Sequence, residues 1–111
     1  MIELIIKRYL DGHLEVPSFL ERSSNMPAKF VLFEKTSGRS SNYLKSATVA
    51  FQSYAPTLYQ TAELNEHLKE VIEQMIELPE ISGIELNSDY NFTATDSKEY
   101  RYQAVFDINY Y

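Results

Sequence analysis

The sequence lacks cysteine altogether, contains only three glycines and has no long apolar run. Without a thiol, the chain can have neither a cysteine nucleophile nor cysteine-bound zinc nor an iron–sulfur cluster. The three glycines are scattered, which excludes a glycine-rich phosphate-binding loop. No stretch of about 18 apolar residues is available to cross a bilayer, and residues 1–8 lack the cleavage site of a signal peptide. We therefore expect a protein that stays in the cytoplasm of the cell that makes it.

Tryptophan is also absent, yet nine tyrosines and six phenylalanines make 14% of the chain aromatic. Tyrosine at this density is typical of half-buried β-sheet surfaces and protein interfaces, because its ring supplies apolar area while its hydroxyl stays solvated or hydrogen-bonded. With 44% apolar and 23% charged residues, the chain has a globular composition. Its 111 residues suit a single domain, residues 1–111, that folds without a disulfide or a structural metal.

Acidic residues are in excess, and they are concentrated in the second half of the chain. The formal net charge of −6 argues against a surface that grips the phosphate backbone of nucleic acid. Lysine plus arginine outnumber aspartate plus glutamate by seven to five in residues 1–56, whereas acidic residues lead by eleven to three in residues 57–111. Two explanations are open: a solvated acidic helix beside acidic loops, or copies of the chain that pack head to tail with opposite charges in contact.

Two segments have the apolar spacing of helices. The first is predicted to be a short helix that ends at Gly12, from five apolar residues on one face: Ile2, Ile5, Ile6, Tyr9 and Leu10. The second is predicted to begin at Thr57, which has the spacing of a capping box with Gln60, and to end before Pro79. Glutamates occupy one side of this second helix and apolar side chains the other.

Five segments are predicted to be strands, and two polar segments are predicted to be loops. The strands cover residues 16–21, 28–35, 45–54, 81–86 and 100–111. The loops cover residues 36–43 and 87–98, and we expect both to be mobile in the free subunit and to become ordered against partners. The fold class is therefore α+β: an antiparallel β-sheet packed against one long and one short helix, in the order α-β-β-β-α-β-β.

Residues that could carry catalysis or hold a metal are few. The only histidines are His13, expected in a loop, and His67, which lies four residues after Glu63 on the acidic side of the second helix. A catalytic triad needs a nucleophile, a base and an orienting acid, and a metal site needs more than one His–Glu pair. Residues 89–93 imitate a calcium loop, but Ala94 stands where the loop's sharp turn requires glycine. We expect no catalytic residue, no metal site and no cofactor.

Several motifs resemble those of small tail proteins of phages and prophages. They are ATVAFQSYAPT at residues 47–57, LNSDYNFT at 86–93 and YRYQAVFDI at 100–108, with VP at 16–17 and MPAKFV at 26–31. Together they cover nearly the whole chain, which is similar to the tail terminator, or tail completion, proteins of long-tailed phages that infect Gram-positive bacteria. The motifs are structural rather than catalytic, and they also fit a neighbouring head–tail joining protein, a connector or stopper.

The resemblance implies an α/β subunit that forms a hexameric ring, caps the finished tail tube and presents a surface to the head connector. Genomic DNA would pass through the ring without sequence-specific contacts, and an acidic protein suits that passage because a strongly basic lumen would retain the DNA. The expected partners are copies of the chain itself, the tail tube protein and the head connector protein, with no membrane. The expected location is the bacterial host cytoplasm during assembly and then the tail of the virion.

Two alternatives lie outside this family. One is a stand-alone homodimeric protein-binding module that is joined through the edge of the tyrosine-rich last strand. The other, more distant, is an enzyme that depends on one of its histidines.

A closed ring uses two different patches on each subunit, so we hypothesise that the acidic second helix of one subunit meets a basic region of the next. The acidic side comprises Glu63, Glu66, Glu70 and Glu73, and the basic side comprises some of Lys29, Lys35, Arg39 and Lys45. On the last strand, Tyr102 is expected in the core, and Tyr110 and Tyr111 are expected at an interface. The loop residues expected to contact partners are Ser37, Gly38, Arg39, Asp89, Tyr90, Asn91 and Phe92.

Overall fold

The chain forms an α+β fold with a five-stranded sheet and two helices, in a computed structural model that describes residues 1–41, 44–94, 96 and 99–111. The elements are α1 (Ile2–His13), β1 (Ser18–Phe19), β2 (Phe30–Ser41), β3 (Leu44–Tyr54), α2 (Leu58–Gln74), a 3₁₀ turn (Met75–Glu77), β4 (Ile81–Asn91) and β5 (Arg101–Tyr110). The α+β class predicted from the sequence is confirmed.

The strands lie in the spatial order β1-β2-β3-β5-β4, so that β5 is inserted between β3 and β4. All neighbours pair antiparallel except β1, which pairs parallel with β2 through Ser18–Val31 and Phe19–Leu32. The expected wholly antiparallel sheet is wrong in this detail, because the long segment 20–29 carries the chain back to the start of β2. The predicted first strand, residues 16–21, is also too long by four residues.

Both helices pack on one face of the sheet, and the core lies between the two layers. Its largest buried side chains include one phenylalanine from each of β2, β3 and β5, which are Phe33, Phe51 and Phe106. The Phe51 ring centroid lies 5.8 Å from that of Phe33 and 5.9 Å from that of Phe106, the second pair being edge-to-face. The two-residue period of these strands therefore directs one row of side chains into the core, as the sequence pattern predicts.

The ends of the helices follow from local hydrogen bonds. The Thr57 hydroxyl accepts a hydrogen bond from the Gln60 N–H at 3.1 Å, which confirms the predicted helix start. Helix α1, in contrast, continues past Gly12 to His13, so the predicted end at Gly12 is wrong. Buried Leu14 closes the helix, and its N–H donates to the Leu10 carbonyl oxygen at 2.8 Å.

Helix α1 is attached to α2 by a buried hydrogen bond. The Tyr9 hydroxyl donates to the Val71 carbonyl oxygen at 2.7 Å, across 62 positions of sequence. Burial, with a smaller contribution from the negative charge of Glu77, raises the pKa of the Tyr9 phenol above its ordinary value. The phenol is therefore held in its neutral, hydrogen-bond-donating form.

The two predicted loops are mostly strand where the structure describes them. β2 continues through residues 36–41, and Ser41 pairs with Leu44 of β3. β4 likewise continues to Asn91, with irregular register at Ile81/Gly83 and at Leu86/Ser88. Nearly all side chains in 36–41 and 87–91 are exposed, so these strands carry no apolar alternation that the sequence could reveal. Asn42, Tyr43, Thr95, Ser97 and Lys98, which belong to the same predicted loops, lie outside the described residues.

Candidate assembly surfaces

Three of the four predicted basic residues meet at the far end of the β2–β3 hairpin. We call this set, Lys35, Arg39 and Lys45, the basic hairpin. All three side chains are exposed, and none forms a salt bridge with a carboxylate in the described part of the chain. The Lys35 ammonium lies over Gly38, whose missing side chain leaves room for it, and the Lys45 ammonium lies 5.9 Å from the Tyr110 ring centroid. The hairpin thus presents a concentrated positive charge to solvent.

Lys29 does not belong to this group. It lines a shallow groove of about 200 Å³ between the end of α1 and the start of α2, together with Glu15, Glu63 and His67. Acidic side chains are therefore already its neighbours within the subunit. We remove Lys29 from the basic patch predicted from the sequence, because the turn into β2 places it beside the negative charge it was expected to meet on another subunit.

The predicted acidic residues form a continuous exposed row on α2. We call the set Glu63, Glu66, Glu70 and Glu73 the acidic row, and all four are exposed. Of these four glutamates, only Glu66 forms an ion pair with another described residue. Its carboxylate lies 2.7 Å from the Lys69 ammonium, which also binds Asp89 of β4. Hydrogen bonds to Asp89 and Glu66 raise the pKa of Lys69, although its partial burial alone would lower it. Glu66, the second residue of the row, is thereby held toward β4.

The predicted contact residues after Leu86 divide between β4 and the segment that follows it. Asp89 points to the helix side, whereas the Tyr90 hydroxyl is hydrogen-bonded to the Gln103 side chain on the opposite face. Phe92 is 42% exposed, and the Arg101 guanidinium lies 4.3 Å from its ring centroid. The Asn91 side chain accepts the Thr93 N–H at 3.0 Å, and the Phe92 N–H donates to the Arg101 carbonyl oxygen at 2.8 Å, so this segment stays beside β5. Tyr90 and Phe92 thus form an exposed aromatic pair.

Two of the three tyrosine predictions on the last strand need correction. Tyr110 is only 9% exposed and belongs to the core, because its position in β5 shares the face that carries Phe106 and Ile108. Little of its ring is left for a partner. Tyr102, which was expected in the core, is half-buried, whereas Tyr111 is 65% exposed and remains a candidate contact residue.

The sheet face opposite the helices carries a polar groove of about 500 Å³. At its floor, the Asp107 carboxylate accepts hydrogen bonds from the Thr48 hydroxyl at 2.7 Å and from the Asn87 amide at 3.0 Å. The Asn87 bond first, then the Thr48 bond and the positive charge of Arg39, hold the pKa of Asp107 below its ordinary value. Ser37 and Gly38 line the same groove, so the predicted hairpin contacts surround a fixed negative charge.

Sequence reasoning missed the free edges of the sheet. β1 covers β2 only at Val31 and Leu32, and β4 pairs only with β5 in the described part of the chain. The spatial order of strands cannot be read from local periodicity, so no sequence signal was available for this feature. The same order corrects the expectation that the last strand has an edge for dimerisation: β5 is paired on both sides.

Three further observations bear on function: possible metal sites, possible membrane-spanning helices and similarity to known proteins. In residues 1–41, 44–94, 96 and 99–111, no group of three or more histidine or acidic side chains is placed to hold a metal ion. Nor is any helix in those ranges of the length and hydropathy that crossing a membrane requires. No protein-family model matches the chain, and no curated protein matches it.

Proposed function

We propose that the chain is a structural subunit of a phage or prophage tail, a tail terminator that forms a ring, caps the tail tube and joins it to the head connector. The proposal combines the resemblance of residues 16–17, 26–31, 47–57, 86–93 and 100–108 with the arrangement of charge on the surface. The mechanism requires no reaction chemistry. Free energy from subunit contacts closes the ring, and the ring's two rims bind the tube and the connector.

One observation supports this function best: each subunit has two exposed surfaces of opposite charge, and it neutralises them only in part, through the Glu66–Lys69 ion pair and the position of Lys29 beside Glu63. The basic hairpin extends from β2 and β3, on one side of the sheet, and is unpaired within the described residues. The acidic row lies on α2, which is joined to β4 at the other side through Lys69 and Asp89. Two different complementary patches on one subunit are what a heterologous, ring-forming contact needs.

The net charge of −6 also suits a ring through which DNA moves. A protein that neutralises many phosphates holds DNA tightly and in a salt-dependent manner. With its cations engaged at subunit contacts, the assembled ring would present few of them to the passing genome. DNA would therefore pass without sequence-specific binding.

The test is assembly, alone and on tail tubes. Purified protein is measured by light scattering from low to high ionic strength, and is then mixed with polymerised tube protein and viewed by electron microscopy. We expect a mass of six subunits at low salt that decreases at high salt, and added density at one end of each tube. A single-subunit mass at every ionic strength, together with bare tube ends, would contradict the proposal.

A charge variant and its matched control connect the assembly to the acidic row. Glu70→Lys reverses one charge within the row and should weaken assembly by about tenfold. Asp11→Lys reverses an exposed charge on α1, outside the row and its groove, and should leave assembly unchanged. Equal effects of the two variants would show that net charge, and not the acidic row, controls assembly.

A head–tail joining protein is the second candidate, because the same motifs and the same charge arrangement fit it. The electron micrographs distinguish the two: a terminator adds to tail tubes, whereas a joining protein adds to DNA-filled heads or their connectors. The dimeric module joined by the last strand is not retained, since β5 lies inside the sheet.

A further inference from the structure

The sheet has two unpaired edges on opposite sides of the subunit. On β2, residues 33–41 lie beyond the two positions that β1 covers, and no other described strand pairs with their outer side. We call this the β2 edge. On the other side of the sheet, β4 (Ile81–Asn91) pairs with β5 alone, and we call its outer side the β4 edge. Unpaired strand edges present rows of N–H and C=O groups that bind another strand.

We propose that the β2 edge of one copy pairs antiparallel with the β4 edge of the next copy, so that the sheet continues from subunit to subunit. The choice of a second copy as the occupant rests on the proposed function. The direction, register and charge of the two edges support the pairing itself.

Direction favours the pairing. β2 is antiparallel to β3, β3 to β5 and β5 to β4, so β4 is antiparallel to β2 within one subunit. A neighbour that continues the sheet in the same sense therefore brings its β2 edge antiparallel to the β4 edge. Antiparallel ladders are the slightly more stable kind.

The register places the regular parts of the two edges opposite each other. β2 has an irregularity at Lys35/Ser37 and is regular from Ser37 to Ser41, while β4 is regular between its two irregularities, from Gly83 to Leu86. Following the pairs across the sheet, Ser37 is level with Glu85 and Arg39 is level with Gly83. A neighbour added without shift would thus align two bulge-free segments.

Charge complements this register. In the shared sheet, Arg39 lies diagonally from Glu85 on the face opposite the helices, within the reach of a long side chain. On the helix face, Lys35 is level with Leu86, next to the Asp89 position. The Lys69 bridge also places Glu66 of the acidic row beside the β4 edge. The basic hairpin and the acidic row would therefore meet in the same contact.

Bulges and charged side chains also protect solitary edges from unwanted pairing. Protection works best when both edges carry the same sign, because like charges repel. Here the β2 edge carries Lys35 and Arg39 with Glu34. The β4 edge carries Glu85 and Asp89 and no cation of its own, and of these two carboxylates Asp89 is already paired with Lys69 of α2. Two β2 edges, or two β4 edges, bring like charges together and repel each other, whereas a β2 edge and a β4 edge attract. Charge therefore favours β2–β4 pairing over β2–β2 or β4–β4 pairing.

Cysteine cross-linking tests the pairing, because the chain has no cysteine of its own. Ser37→Cys and Glu85→Cys are made as separate proteins, mixed, and treated with a short bifunctional maleimide that tolerates a small shift in register. Ser24→Cys, an exposed serine in the segment between β1 and β2, replaces Ser37→Cys in the control mixture. Circular dichroism checks that each variant is folded.

We expect a cross-linked heterodimer from Ser37→Cys with Glu85→Cys, and none from either variant alone or from the Ser24→Cys mixture. The double variant Ser37→Cys/Glu85→Cys should give a series of cross-linked oligomers of increasing size, and the largest should be the closed ring. A homodimer from Glu85→Cys alone, or no product from the mixture, would overturn the pairing. If the protein forms rings that cap tail tubes but gives no cross-link between positions 37 and 85, the pairing is wrong and the proposed function stands. If the cross-link forms but the protein never caps a tube, the proposed function is wrong and the pairing stands.

Discussion

The side-chain amide of Asn65 donates a hydrogen bond of 2.7 Å to the Asp89 carboxylate, and this bond joins the middle of α2 to the outermost strand of the sheet. Asn65 is 1% exposed, and Lys69, one helical turn further along, binds the second oxygen of the same carboxylate. Since β4 has only β5 as a strand neighbour among the described residues, this polar contact helps to hold it against the helix layer.

Asn65→Ala should lower the free energy of unfolding by about 1–3 kcal/mol, because it removes a buried hydrogen bond to a charged acceptor. Chemical denaturation measures the change, and Glu63→Ala on the exposed side of the same helix is the control, with an expected change within about 0.5 kcal/mol. If both variants unfold at the same denaturant concentration, the Asn65–Asp89 bond contributes nothing to stability.

Asp107 should make the protein acid-sensitive in a defined window. Its folded pKa lies below the ordinary value of 3.8, so the native state favours the carboxylate, and this contribution to stability is present above pH 3.8. The contribution is lost as the pH falls from 3.8 through the lower folded pKa. Asp107→Asn should make the free energy of unfolding less dependent on pH in this window. At pH 7 it should lower the free energy of unfolding by roughly 1 kcal/mol, because solvent screens this partly exposed carboxylate.

Denaturation at a series of pH values, from 7 to 2, measures the effect of Asp107. Asp11→Asn removes an exposed carboxylate on α1 and is the matched control. Identical acid profiles for Asp107→Asn and the natural sequence would show that the Thr48 and Asn87 hydrogen bonds do not favour the charged form.

Tyr9→Phe should lower stability by about 1 kcal/mol, because the Val71 carbonyl oxygen loses its buried hydroxyl donor. The raised pKa of Tyr9 also predicts a change at high pH. The neutral phenol stabilises the fold fully below its ordinary value of 10.0, and this contribution is lost as the pH rises through the higher folded pKa. Tyr59→Phe, at a side chain 77% exposed, is the control and should change neither quantity.

Phe51→Ala should be the most destabilising of these variants, at about 3–5 kcal/mol, because it opens a cavity between Phe33 and Phe106. Thermal unfolding provides the measurement. Tyr59→Ala truncates an exposed aromatic residue and should cost far less. A loss below 1 kcal/mol for Phe51→Ala would mean that the three rings do not form the centre of the core.

A charge exchange tests the two sheet edges in solution. Arg39→Glu should weaken self-association by about tenfold, because the new carboxylate repels Glu85 of the neighbouring copy. Adding Glu85→Lys to the same chain restores opposite signs and should recover assembly, as measured by sedimentation. Single variants that assemble as well as the natural sequence, or a double variant that assembles no better than Arg39→Glu alone, would separate these residues from the contact.

The core and the elements around it could be predicted from the sequence wherever burial imposes a period. Phe51 and Phe106 sit in strands whose alternation comes from having one face against the helices, and Thr57 marks a helix start through its own side chain. Residues 36–41 carried no such signal. They are exposed on both faces and held as a strand by main-chain pairing, which every residue type except proline can supply.

The candidate surfaces were predicted less completely for a related reason. Charge composition identified the acidic row and three of the basic residues, since exposed glutamates repeat along one helix. It could not separate Lys29 from the basic hairpin or place Tyr110 in the core, because both depend on which strands are neighbours. The insertion of β5 between β3 and β4 is fixed by packing over long sequence distances, which local patterns do not record.

The position of β5 also determines when the molecule can fold during translation. β3 and β4 reach each other only through residues 101–110, so neither can complete its pairing until the ribosome has released that segment. Until then the Val49 and Phe51 side chains of β3 are covered only by β2 and by the helices. Until residues 101–110 have emerged, the nascent chain therefore exposes an apolar half-sheet, and general chaperones of the cell should delay its aggregation most effectively at this stage.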